Sequence, residues 1–120
     1  MATADHLFLQ AAVAHKAGDL GAAERAYRQL LDAFPEHPPA LANLAALAVE
    51  RGDAAEAERL YRRAVAAAPD FAEAHFKLGN VLRRAGRPRE AAAAYAEVLR
   101  RAPDAPTALV NLGLALGDAG

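Results

Sequence analysis

The sequence predicts an all-α chain, a solenoid of antiparallel helical hairpins, on three observations. Residues of several classes recur every 34 positions, alanine dominates the apolar composition, and glycine and proline punctuate each unit. Pro35, Pro69 and Pro103 keep the 34-residue step, as do Tyr27, Tyr61 and Tyr95, then Ala23, Ala57 and Ala91, then Gly18, Gly52, Gly86 and Gly120. Four residue classes in one register over nearly the whole length exceed coincidence. The chain therefore reads as one array over residues 1–120, with units at 4–37, 38–71 and 72–105 and a truncated fourth at 106–120. Apolar residues make up 54% of the 120 positions. Much of that share is alanine, whose short side chain favours helix and lets helices approach closely.

Within each unit a first helix, here helix A, is expected at 4–17, 38–51, 72–85 and 106–119. A second, helix B, is expected at 21–34, 55–68 and 89–102. Glycine at 18, 52 and 86 can take the left-handed conformation that closes helix A. Pro39, Pro88 and Pro106 fall in first helical turns, where the missing N–H has no partner to lose. Asp53 with Glu56 and Asp70 with Glu73 have capping-box spacing.

Composition also argues against several kinds of chemistry. The chain has no cysteine, so it can hold no disulfide, thiolate metal site or cysteine nucleophile, which fits a reducing compartment. A net charge of -1 and a pI near 6.4 carry no nucleic-acid footprint. No apolar run approaches the ~18 residues of a membrane span, so a cytoplasmic protein without a membrane partner is expected. His6, His15, His37 and His75 form no His-Glu-x-x-His pair, and no metal is expected. There is no serine, Thr3 and Thr107 have no base partner in view, and the glycines from 113 to 120 lack a phosphate loop's strand and lysine. Neither a cofactor nor catalytic residues are expected.

The repeat resembles the tetratricopeptide family, whose 34-residue unit carries W-x2-L-G-x2-Y, then A-x3-F, then P. Ala23 to Tyr27, Ala57 to Tyr61 and Ala91 to Tyr95 supply the A-x3-aromatic element, and Pro35, Pro69 and Pro103 follow. Where the family has Trp this chain has Leu7, Leu41, His75 and Leu109. Its Leu-Gly pair becomes Gln10-Ala11, Leu44-Ala45, Leu78-Gly79 and Leu112-Gly113, which keeps the small second residue.

The resemblance implies a right-handed superhelix whose concave wall is lined by helix A and holds an extended peptide. Carried over position by position, the groove comprises Phe8, Ala12 and His15 from the first unit and Asn43, Ala46 and Glu50 from the second. Phe76, Lys77, Asn80 and Arg84 come from the third, and Asn111 from the fourth. Asn43 and Asn111 are equivalent and two units apart. Their surroundings are similar to the asparagine-bearing repeats of the O-linked N-acetylglucosamine transferase arm, in which amides grip a peptide main chain. A family carboxylate clamp is not expected, because Phe8, Ala12 and Glu73 stand where its other partners belong.

Charge is uneven along the array: residues 4–37 carry three basic and five acidic groups, and 72–105 carry seven and four. Lys77 and Arg84 face inward on this register, whereas Arg87, Arg89, Arg100 and Arg101 are expected as a solvated outer rim. The expected function is a protein–protein interaction module binding an extended peptide in the helix A groove. The alternatives are the N-terminal substrate-recruiting arm of a larger enzyme, such as a protein glycosyltransferase, and a self-assembly module. The last would act through Leu109, Leu112 and Leu116 of the C-terminal helix.

Overall fold

Glycine, proline and aspartate cut the chain into short helices. The computed structural model describes residues 3–120, so the first two positions of the expected array lie outside it. Among the described residues the helices are α1 (Ala4–Lys16), α2 (Leu20–Ala33), α3 (Pro38–Arg51), α4 (Ala54–Ala67), α5 (Ala72–Arg84), α6 (Pro88–Arg101) and α7 (Pro106–Asp118). Helix A limits match the expected ones to within a residue. Each helix B starts and ends one residue early, because Leu20, Ala54 and Pro88 directly follow the residue that begins the helix.

Local chemistry sets these limits. Thr3, Asp19 and Asp53 each accept a hydrogen bond from the backbone N–H three residues on, at 3.1 Å. The His37 ring does the same for α3, its Nδ1 accepting from the N–H of Ala40 at 3.2 Å. Gly52 closes α3 at φ 83°, in the left-handed region where a Cβ is disfavoured. The two expected capping boxes do not form. Asp53 caps α4, but Glu56 turns away to Arg28 and Arg59. Asp70 stands one residue too early, since Phe71 begins α5 without a side-chain cap and Asp70 accepts from Arg101 at 3.2 Å.

Each helix B packs against helix A of its own unit and helix A of the next, giving a stack with extents of 51 × 27 × 22 Å. The repeated small residues make the close approach possible: Ala23, Ala57 and Ala91 are fully buried, and so are Tyr27 and Tyr95, with Tyr61 nearly so. At Gly79 the fit is tightest. A Cβ there would lie 2.6 Å from Cε1 of Tyr95, so the ring rests directly on the α5 backbone. His75, at the family's tryptophan position, is buried and donates from Nε2 to the carbonyl of Pro69 at 2.8 Å.

The outer surface carries a second repeat. Glu24, Arg28 and Glu56 form a chain of ion pairs that recurs one unit later as Glu58, Arg62 and Glu90. Arg87 joins the latter through Glu58 at 2.6 Å and Glu90 at 2.7 Å, and these guanidinium contacts hold the Glu58 carboxyl below its usual range. Such exposed pairs each add little stability, yet they change the reading of the expected arginine rim. Arg87, Arg100 and Arg101 are not free in solvent but engaged with Glu58, Glu90, Glu97 and Asp70.

Candidate functional site

The inward-facing positions of helices α1, α3, α5 and α7 hold the residues that the sequence singles out. Phe8, Ala12, His15, Asn43, Ala46, Phe76, Asn80 and Asn111 are half-buried, while Glu50, Lys77 and Arg84 are exposed. The structure groups them around the three tyrosines of helix B. At the first junction Phe8 lies 6.1 Å from the Tyr27 ring and His15 6.4 Å from it, edge-on. Nδ2 of Asn43 donates to the Tyr27 hydroxyl at 3.1 Å. His15 also stands 3.7 Å from Glu50.

The third junction repeats this plan. Phe76 lies 5.8 Å from the Tyr95 ring. The Tyr95 hydroxyl donates to Oδ1 of Asn80 at 2.6 Å, and Nδ2 of Asn111 donates to the same oxygen at 3.1 Å. A partner amide therefore stands 16 residues beyond the tyrosine in both cases. The expectation that Asn43 and Asn111 present free amides to a peptide is corrected in part: one N–H of each already serves the joint between units. The signal lay in the sequence as the equal separation of Tyr27 from Asn43 and Tyr95 from Asn111, but spacing alone does not say which way an amide turns.

The second junction breaks the plan. The residue 16 beyond Tyr61 is Lys77, and the position equivalent to Phe8 and Phe76 is Ala42. Among the described residues no aromatic ring lies against Tyr61, and no side chain is hydrogen-bonded to its hydroxyl. Burial, with the Glu73 carboxylate nearby, pushes this hydroxyl up to about 12, and it stays protonated at neutral pH. Burial likewise raises Tyr27 and Tyr95, against lowering contributions from Asn43 at the first and from Arg83 and Asn111 at the second. With short side chains above the Tyr61 ring, a cleft of about 240 Å3 opens between α3, α4 and α5. Five candidate residues line it together: Ala46, Glu50, Lys77, Asn80 and Arg84. Phe8 and Ala12 lie outside it on the first unit, and Phe76 and Asn111 beyond it around Tyr95.

Similarity to known proteins extends over the whole array. Three overlapping stretches, residues 8–72, 43–106 and 76–120, match the tetratricopeptide repeat. No curated protein sequence matches the chain. Among solved structures, a mutant of the O-GlcNAc transferase of Thermobaculum terrenum is 35% identical over 97% of this chain, with a TM-score of 0.82. The chain spans only 23% of that transferase. The first tetratricopeptide domain of Spaghetti (RPAP3), solved with an HSP90 peptide, is 24% identical, covering 95% of this chain and 90% of its own, at a TM-score of 0.88. MamA is 21% identical over 98% of this chain and 69% of its own, at 0.90. Superposition at this level over nearly every residue fixes the fold as the same right-handed solenoid of antiparallel hairpins. Arrays of this kind serve as protein–protein interaction modules, and the chain belongs to the tetratricopeptide repeat family.

Proposed function

We propose that this array binds an extended peptide along the wall formed by its A helices. The carrying observation is the cleft at the second junction, where five residues assigned to the groove from the sequence line a single concavity with apolar walls and unpaired polar groups. The like-folded Spaghetti domain, which holds an HSP90 peptide, supports the reading by analogy of fold. Magnitudes set the kind of binding. Each hydrogen bond contributes ~0.5–1.5 kcal/mol net, and Asn43 and Asn111 have already spent one donor each. Affinity must therefore come from apolar contact with Val49, Val81 and the exposed edges of Phe8 and Phe76, with polar groups fixing register. Selection from a randomised peptide library, followed by titration, tests this. Ala46→Arg with Glu50→Arg should abolish binding, and Arg100→Ala with Arg101→Ala should leave it intact. The reverse pattern would place the binding face outside.

A second reading, the substrate-recruiting arm of a larger enzyme such as a protein glycosyltransferase, rests on the 35% identity to part of an O-GlcNAc transferase. The coding sequence downstream of Gly120 decides it. Catalysis would then belong to another segment, with this array delivering the polypeptide. A third reading, self-association through α7, rests on the exposure of Leu109 and Leu116.

A further inference from the structure

The geometry points to a subsite for one glutamate side chain of the bound peptide, in the cleft over Tyr61. This inference rests on the peptide-groove reading and deepens it. Four of the residues that line it carry hydrogen-bond donors with no partner among the described residues: the Tyr61 hydroxyl, the Lys77 ammonium, Nδ2 of Asn80 and the Arg84 guanidinium. Asn80 suits the task, because its oxygen is committed to Tyr95 and Asn111 while the N–H groups of this cleft-lining amide have no partner. Lys77 occupies the place from which Asn43 donates to the Tyr27 hydroxyl and Asn111 donates to Asn80 beside Tyr95, so the second junction gains a charge and its tyrosine hydroxyl has no such partner.

Charge along the rest of the array sharpens the assignment. On the outer surface Arg28, Arg62, Arg87 and Arg101 are neutralised by neighbouring carboxylates, whereas Lys77 and Arg84, which share one cleft, make no ion pair among the described residues. The acidic neighbours are Glu50 at the cleft wall, which stands 3.7 Å from His15, and the exposed Glu73 one turn before Lys77. Neither lies within ion-pair distance of Lys77 or Arg84, so both cations remain available. A carboxylate is the small group that accepts from several donors at once and carries the complementary charge. The apolar walls, Val49 and Val81, match the two methylenes of glutamate better than the single one of aspartate.

The test uses the full chain and a randomised peptide library with amidated C-termini, so that no chain-end carboxylate is present. Glutamate should be enriched at one position of the selected peptides, and its change to glutamine should weaken binding on the order of tenfold, an effect reduced by salt. Lys77→Gln with Arg84→Gln should erase that difference while leaving helix content and melting unchanged, since neither side chain holds an internal partner. Lys77→Glu with Arg84→Glu should shift the enrichment to lysine and arginine. Binders indifferent both to the glutamine change and to the double substitution would overturn the subsite and leave the groove standing. Enrichment that appears only in a library with free C-termini would overturn the side-chain source. Absence of any binder would remove the groove itself.

Discussion

Helices α5 and α7 hold equivalent places in successive units, yet positions that are core in one come out half-buried or exposed in the other. His75, Leu78 and Leu82 of α5 are 9%, 4% and 1% exposed, because α4 and α6 cover the helix from both sides. Their counterparts in α7 are Leu109, Leu112 and Leu116, and α7 packs mainly against α6, reaching α5 through Asn111 and Asp118. Leu109 is 48% and Leu116 57% exposed. Burial in a solenoid is thus set by the neighbour and not by the helix, since each unit finishes its core only when the next is stacked on it.

The largest test of that difference is truncation of equivalent leucines. Leu82→Ala should cost ~2–5 kcal/mol, the range for a buried leucine whose surroundings cannot collapse. Leu116→Ala should stay within ~0.5 kcal/mol. Urea denaturation of the two variants measures both. Equal costs would break the comparison and show that the α7 face is covered in solution. Next come the equivalent glycines. Gly79→Ala drives a methyl into the buried Tyr95 ring and should cost ~1–3 kcal/mol by overpacking. Gly113→Ala meets nothing within 4 Å and should stabilise α7 by up to ~1 kcal/mol through helix propensity. The two substitutions should therefore shift the melting temperature in opposite directions.

How much of this was legible in the sequence follows the same line. The 34-residue step revealed the hairpins, and the helix limits came within a residue, because left-handed glycines and first-turn prolines act on their own neighbours. Contacts that depend on side-chain direction were less readable. Asp70 had the spacing of a cap but not the position, and a repeat pattern cannot tell that Asn43 turns toward Tyr27 or that Asn80 serves two donors at once. For the candidate groove, the family resemblance supplied positions on helix A, several of which the structure gathers around the tyrosines of helix B. It did not reveal that the second junction, where Ala42 and Lys77 replace Phe and Asn, would be the open one.

Smaller effects should separate the junctions from one another. Tyr61→Phe removes a hydroxyl that no side chain engages, so stability at neutral pH should change by less than ~1 kcal/mol. Tyr95→Phe should cost more, since it deprives Asn80 of a donor. In alkali the sign of the Tyr61→Phe effect reverses. Tyr61 is held protonated up to about 12 in the fold, whereas an unfolded tyrosine ionises near ~10. A raised native value means its stabilising contribution is complete below pH ~10 and is lost as the pH climbs from there toward 12. Tyr61→Phe should therefore resist alkaline unfolding better than the parent, as followed by circular dichroism, while α7, which has no ionising residue on its uncovered face, should contribute nothing to that transition.

The weakest expected effect concerns what α7 does with its bare face. Leu109 and Leu116 project from a helix whose one charged side chain, Asp118, is tied to Arg83 at 3.1 Å. No charge on that face opposes contact with a like surface. Covering a few hundred Å2 at ~25 cal/mol per Å2 gives several kcal/mol, most of which association entropy offsets. The expected outcome for this 120-residue chain is a weak pairing through α7 at high concentration and no stable dimer at low concentration. Sedimentation across a concentration series should show reversible growth in mass, and Leu109→Glu with Leu116→Glu should hold the chain monomeric throughout. If the parent stays monomeric at every concentration, apolar exposure on α7 is an inert surface, and the contrast with α5 remains one of packing alone.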